Sequence, residues 1–405
     1  MARGSGLEAR RPSSDDRQVR RLFAFGGAAG AAWIPFFTAL LAGRGMPADQ
    51  IGLVLAAAAL ASAAAAPLWS HEADTRMGAA RTLSWTSLTA AGCALLQSFT
   101  GANPWLVGAV AMATAAAWGP GAALLDSVAL TSLGPDRAGT YGHVRAFASG
   151  GWAIAAIAFG AVYQGVDLWL MIPLFAVSEA GFALAARRMA SPPRPRAEGP
   201  RGPRLASARE AFRDAPRLAP FLGGLMLFSV ATSATDGFVP LEMLGEGGGP
   251  FLIGLAAGLG AALEIPFFVA SGRLVARFGG RTLMVAGLAM GTAVLLGWAA
   301  ADSPATVAAI RVLAGAGFGL KYAATVLLTD RLVGSHLRST GQALLQVSTW
   351  SVGPIVGPAV GGFVYVHAGP PWLFAGAGVL AAVGTGLAWW SLRGIDDGKA
   401  GGTDA

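Results

Sequence analysis

Apolar runs about 20 residues long recur along the whole of this chain and constrain its fold more than any other feature. They lie near residues 22–42, 51–70, 82–100, 105–133, 146–165 and 168–186, and again near 218–243, 251–272, 283–300, 305–328, 340–366 and 372–392. A helix needs about 20 residues to cross the hydrocarbon of a bilayer. The runs are continuous and not alternating, which argues against barrel strands. The expected fold is all-α and membrane-embedded, with twelve transmembrane helices. Only 13% of the 405 residues are charged, about half the share of a soluble domain. Four histidines and the single cysteine, Cys93, leave no disulfide framework and make a Cys/His metal site unexpected. No cofactor is expected.

The basic residues set the orientation. Of the 29 lysines and arginines, 26 fall in the tails and in the connections on one side; Arg44 lies on the other, and Arg311 and Lys321 lie within a span. By the positive-inside rule both termini are expected in the cytoplasm, with the chain multi-pass in the plasma membrane. The formal charge of +7 would suit nucleic acid only if it were gathered on one face. Here it flanks the spans, so the expected partners are the bilayer and a small molecule, with no nucleic acid and no obligate protein partner. The expected division is a tail (1–21), a six-helix bundle (22–186), a basic Pro/Arg-rich linker (187–217), a second six-helix bundle (218–392) and a tail (393–405). The linker is expected to end as a short amphipathic helix over Ala206–Arg213.

The two halves are related. Pro67 to Arg81 contains Asp74, Arg76 and Gly78; Gly272 to Arg281 contains Leu274, Arg277 and Gly279. These loops stand about 200 residues apart, and each joins the second and third span of its half. Duplicated bundles with a site at their interface are a recurrent transporter design, so a central cavity is expected between them.

Ionisable residues inside spans are functional hypotheses by default. They are Asp126, Glu179, Asp236, Glu264, Arg311 and Lys321. Glu179 and Glu264 lie near mid-span, whereas Asp236 lies near a span end, where exposure to water is expected. The chain holds only two lysines, Lys321 and Lys399. A lysine, unlike an arginine, can titrate when buried, so Lys321 reads either as a titrating amine or as a structural partner for Asp126 or Glu264. Glu264 precedes Pro266, which frees a backbone carbonyl one turn earlier. A carboxyl there can exchange a proton, and structural pairing is the competing reading. Gly353-Pro354 through Gly361-Gly362 reads as close helix packing at a bend.

Twelve spans, a basic central loop and paired loops of the form Gly-x-Leu-x-Asp-Arg-x-Gly-x-Arg resemble the major facilitator superfamily across essentially the whole chain. The second loop departs in having Ala276 where the acid belongs; the first keeps Asp74 but has an extra residue before Gly78 and Ser70 for the leading glycine. The resemblance implies that Asp74, Arg76, Arg81, Arg277 and Arg281 form a cytoplasmic gate. Arg311-Val-Leu-Ala-Gly315 resembles another motif of the superfamily. Tyr141-Gly142 with Arg145 and Gly151-Trp152 resembles the oligosaccharide–proton symporter (lactose permease-like) and phenylpropionate-transporter-like groups. Glu264-Ile265-Pro266 is similar to sugar efflux transporters.

Carried over residue by residue, Asp126 and Arg145 would hold sugar hydroxyls, and Trp152 would cover the apolar face of a ring. The same residues would also serve as a structural ion pair with an interfacial indole. Half-chain symmetry sets Trp350 opposite Trp152 as a fourth substrate-binding residue. Glu264, Lys321, Glu179 and Arg311 are the expected proton-coupling groups. The expected function is secondary transport of a small organic solute, a sugar or glycoside, driven by a proton gradient. An efflux antiporter, an aromatic-carboxylate transporter and a non-transporting membrane sensor remain alternatives. No nucleophile–base or metal constellation suggests an enzyme.

Overall fold

A computed structural model describes residues 14–133, 141–189 and 205–394. Most of the N-terminal tail, part of the loop before Arg145, the Pro/Arg-rich part of the linker and most of the C-terminal tail lie outside them. All regular structure among the described residues is helical. The first half comprises α1 (Ser14–Ala31), α2 (Phe37–Gly43), α3 (Ala48–Glu72), α4 (Ala79–Leu96), α5 (Pro104–Trp118), α6 (Gly121–Leu133), α7 (Tyr141–Gly165) and α8 (Met171–Arg187). An amphipathic linker helix, α9 (Leu205–Asp214), stands where one is expected. The second half comprises α10 (Leu218–Asp236), α11 (Val239–Gly245), α12 (Pro250–Phe278), α13 (Gly280–Ala299), α14 (Pro304–Leu332), α15 (Arg338–Trp350), α16 (Val352–His367) and α17 (Pro370–Ser391).

Among the described residues, ten helical segments are long and apolar enough to cross a membrane. The two expected spans outside this set are α1–α2, interrupted over residues 32–36, and α4, whose 18 residues include Arg81 and several serines and threonines. Three other expected spans are also interrupted: α5–α6 at Gly119-Pro120, α10–α11 at Gly237-Phe238 and α15–α16 at Ser351. Proline's missing N–H and fixed φ explain the first of these breaks. Helix starts follow ordinary chemistry. Asn103 accepts from the Trp105 and Leu106 amides ahead of α5, and Ser303 accepts from the Thr306 amide ahead of α14. Each is followed by a proline in the first helical turn, where no donor is lost.

The outward faces of the helices are apolar. Leu53, Leu60, Leu68, Ile154, Val177 and Val379 are all exposed. In water this would be an association surface; in a multi-pass membrane protein it is the face that meets lipid.

The relation between the halves extends to backbone geometry. Gly78 (φ 77°) and Gly279 (φ 85°) begin α4 and α13 in the same left-handed conformation, and Gly45 (φ 82°) and Gly247 (φ 85°) end α2 and α11 in another matched pair. Only glycine adopts these angles without steric cost.

Within the first half α1 packs on α7 and α8, α3 on α5, and α4 on α8; within the second, α10 packs on α16 and α17, and α14 on α12 and α13. The halves meet through α7 against α12, α3 against α16 and, more slightly, α2 against α11. We call the end of the bundle that carries residues 14 and 391 the termini end, and the other the far end. At the far end these crossings are backbone to backbone. A methyl on Gly258 would come 2.6 Å from the Ala153 carbonyl oxygen, and one on Gly254 would collide with the Ala156 carbonyl. Gly52 and Gly362 meet the Pro358 and Ala48 carbonyls in the same way. Small residues are what allow helices to approach this closely in lipid. The expected close packing of the Gly353–Gly362 stretch is therefore present, against both α10 and α3. Toward the termini end α6 packs on α1, α4 and α7 and α15 on α9, α10, α14 and α16, each within its own half or on the linker helix.

Candidate functional site

A two-lobed cavity lies between the halves. The near lobe, of about 490 Å³, runs from Arg145, Ser149 and Trp152 on α7 across to Glu264 on α12, Lys321 on α14 and Trp350 on α15. The far lobe, of about 450 Å³, is lined by Trp33, Phe37, Thr38, Thr114, Trp118 and Phe175 together with small apolar residues of α3 and α5. Trp152, Ser233, Asp236, Ala257, Arg311 and Pro354 line both lobes and so form the partition between them.

Charge is concentrated in the near lobe and at the partition. The Ser149 hydroxyl donates to Glu264 Oε1 at 2.5 Å, a bond made across the two halves. Arg145 and Arg311 both lie within electrostatic reach of Glu264, and the Arg145 guanidinium rests 5.6 Å from the Tyr322 ring centre, again across the halves. Arg311 donates to Asp236 Oδ1 at 2.7 Å. Both side chains of that pair are partly exposed to the cavity, so the pair contributes about 0–1 kcal/mol. Lys321 Nζ lies 4.8 Å from the Phe228 ring centre and 5.4 Å from that of Phe318. Such contacts are worth roughly 0.5–2 kcal/mol, and the carboxylate that acts on the ammonium is Asp236.

The structure brings together Arg145, Trp152, Trp350, Glu264, Lys321 and Arg311. Trp350 is 51% exposed and packs edge-on against Phe318 at 6.2 Å, with Trp152 on the facing half. Asp126 is half-buried on α6, engaged within the protein, and absent from the lining of either lobe. Glu179 is also set apart. It is 1% exposed, its Oε1 accepts from Trp118 Nε1 at 2.8 Å, and Ser87 of α4 lies close by. It holds a wall indole and does not itself face either lobe.

Asp236 is exposed, as expected, and it is also the ion-pair partner of Arg311, because α10 stops before Gly237 and leaves its last residue on the cavity. Of the two readings of Lys321, the structural pair with Asp126 or Glu264 is not formed; aromatic faces surround the amine instead. The residues expected to form a gate sit at the termini end. Arg76 pairs with Glu72 at 3.6 Å, Arg277 lies over Phe278, Arg281 over Trp389, and Arg81 is exposed at the start of α4. Asp74 occupies a short wide helical turn, Ala73–Met77, that joins α3 to Gly78.

Sequence reasoning missed Ser149, Thr38 and Trp118. Ser149 lies one helical turn beyond Arg145, so the same face could have indicated it. Thr38 and Trp118 carry no charge, and only the helix breaks beside them mark them out.

Residues 20–376 match the model of the MFS_1 like family. The maltose permease of Geobacillus stearothermophilus is 27% identical over 317 residues, covering 78% of this chain and 78% of that protein. Among solved structures, the nucleoside transporter NupG superposes with a TM-score of 0.76 at 16% identity, over 94% of this chain and all of that one. An auto-inhibited POT family peptide transporter superposes with a TM-score of 0.71 at 12% identity, over 95% of this chain and 98% of that one. At such identities the superpositions establish the fold alone, whereas the family match spans most of the chain. The chain belongs to the MFS_1 like family: it is a major facilitator superfamily transporter, a secondary carrier of a small solute and not an enzyme.

Proposed function

We propose that this transporter carries a sugar or glycoside and is coupled to protons. It is built as twelve spans in two six-helix bundles, 22–186 and 218–392, with both termini in the cytoplasm of a plasma membrane. In that orientation the far end faces outward and is closed, and the cavity serves the cytoplasmic side. One observation carries the reading: two indoles, Trp152 and Trp350, flank a single lobe that also holds carboxylate, guanidinium and hydroxyl groups. Carboxylate and guanidinium groups bond polarised hydroxyls well, and an aromatic face covers the apolar face of a pyranose. The likeness to a maltose permease supports the same substrate class.

Arg145 and Trp152 hold the solute from one half and Trp350 from the other. Asp126 contributes by steadying the first half behind Arg145. Glu264 is the proton group, because its bond to Ser149 couples its protonation to the contact between the halves. Arg311 and Lys321 balance its charge, while Glu179 acts through Trp118. Asp74, with Arg76, Arg81, Arg277 and Arg281, latches the termini end in the opposite conformation.

The test is uptake into proteoliposomes across a panel of sugars, glycosides and aromatic acids, with and without a pH gradient. Gradient-driven sugar uptake is expected; no uptake of any sugar or glycoside would refute the substrate assignment. One observation favours a second reading. The Lys321 ammonium meets aromatic rings, while Asp236, the carboxylate that acts on it, is bonded to Arg311. An aromatic carboxylate would complete that site, and its uptake without sugar uptake would decide for it.

A further inference from the structure

The far lobe differs in chemistry from the near lobe. Its wall is an aromatic cluster: Trp33 stacks on Phe37 at 4.7 Å and meets Phe175 at 4.8 Å, and Trp118 meets Phe175 edge-on at 6.1 Å. Away from the partition its polar lining reduces to two threonines, Thr38 and Thr114. Thr114 is satisfied, its hydroxyl donating to the Val110 carbonyl at 2.8 Å. Helical threonines elsewhere do the same: Thr292 to Leu288, Thr325 to Lys321 and Thr349 to Leu345.

Thr38 does not. It is 3% exposed, and its Oγ1 has no hydrogen-bond partner. Its methyl faces Gly237 in the other half. The residue four positions earlier, Ile34, lies in the break between α1 and α2, so the usual carbonyl is displaced from its helical position. A buried hydroxyl left unbonded is costly. In this conformation Oγ1 is closed off from the lobe and the methyl lies toward Gly237, so the hydroxyl reaches a ligand there by a turn about the Cα–Cβ bond that exchanges the two, beside an aromatic wall and a volume large enough for a ring.

We propose that the far lobe is a second subsite for the same solute, taking a planar ring that carries one hydrogen-bonding substituent. The transported class is then a glycoside of such a ring, with its sugar in the near lobe and its ring in the far lobe. The linkage passes the Asp236–Arg311 pair that both lobes share. This rests on the reading of the near lobe as a sugar site. An aryl aglycone and a nucleobase present the same chemistry to this wall.

The test measures dissociation constants of the purified transporter in nanodiscs. The ligands are glucose and galactose, their phenyl and 4-hydroxyphenyl β-glycosides, and uridine. A phenyl glycoside is expected to bind at least tenfold more tightly than its parent hexose, and Ala115→Phe, which fills the lobe, is expected to shrink that ratio toward one. The 4-hydroxyphenyl glycoside is expected to gain a further factor of about three to ten over the phenyl glycoside, in line with one net hydrogen bond. Thr38→Val, nearly isosteric, is expected to erase that last ratio. Uridine binding more tightly than the aryl glycosides, and weakened by Thr38→Val, would support the subsite with a nucleobase as the ring. Equal binding of hexose and phenyl glycoside would overturn the subsite while leaving the sugar reading intact. A 4-hydroxyphenyl to phenyl ratio unchanged by Thr38→Val would overturn the role of the hydroxyl, even if Ala115→Phe fails to fold. No binding by any of these ligands would overturn the sugar reading itself, and the subsite with it.

Discussion

The two ends of the interface between the halves are built in opposite ways. At the far end α7 meets α12, and α3 meets α16, through glycines and alanines set against backbone carbonyls, with hardly a side chain between them. At the termini end, among the described residues, Arg76 pairs with Glu72 and Arg281 lies over Trp389 within single halves, and α6 and α15 pack mainly within their own halves. One end is closed by shape, and the other is left to charge. Close packing of small residues is short-ranged and is lost over an ångström or two, whereas charges in wet loops act over longer distances and are screened by salt. A carrier that alternates between two closed ends can therefore use a dry contact at one and a salt-sensitive contact at the other.

The largest effect is expected where shape alone acts. Gly254→Leu drives a side chain into the Ala156 carbonyl, an overpacking worth about 1–3 kcal/mol. Solute uptake should fall at least tenfold. A cysteine at Ala153, in a Cys93→Ser background, should become reactive toward a membrane-impermeant thiol reagent. Gly376→Leu, on α17 with open space around it, should leave both measurements unchanged; equal effects from the two substitutions would break the contrast.

Next comes the Ser149–Glu264 bond, made across the halves. Glu264→Gln should abolish accumulation driven by a pH gradient, by tenfold or more, while solute exchange without a gradient continues. Smaller again are the changes at the partition. Asp236→Asn or Arg311→Gln alone should reduce exchange about two- to fivefold, because each leaves a charge without its partner. The double variant should recover much of the loss, and a double-mutant cycle would measure the coupling. The smallest effect is expected at the termini end. Asp74→Asn should slow turnover about twofold and shift the unfolding free energy by less than about 0.5 kcal/mol, with the kinetic defect reproduced in wild-type protein by high salt.

Much of the fold is legible in the sequence because a bilayer leaves few choices. Backbone polar groups must be satisfied internally, so an apolar run of 20 residues becomes a helix. The duplication was visible in Gly78 and Gly279 because only glycine adopts their backbone angles, and the amphipathic α9 was visible in its periodicity. The break at residues 32–36 was marked in the sequence by Pro35, whereas the one at Ser351 was not, since it carries no proline at the break point. For the site, charge inside a span pointed to Glu264, Lys321 and Arg311, and the symporter-like motif pointed to Arg145; the four share one lobe. The same argument overreached for Glu179 and Asp126, because cost in lipid marks a residue as purposeful without saying whether it faces a cavity or a neighbouring side chain. The exposure of Asp236 was legible, but its pairing with Arg311, 75 residues away, was not. Thr38 could not be found from sequence; a hydroxyl matters there for the bond it lacks.

The Glu179–Trp118 bond has a consequence for timing. An indole free to rotate must be immobilised each time a ligand packs on it, and that ordering costs roughly 0.5–1.5 kcal/mol per side chain. Here the ring is fixed by a buried carboxylate behind the wall and by Phe175 beside it. Its freedom is lost once, when the chain folds, and is not lost again at every transport cycle.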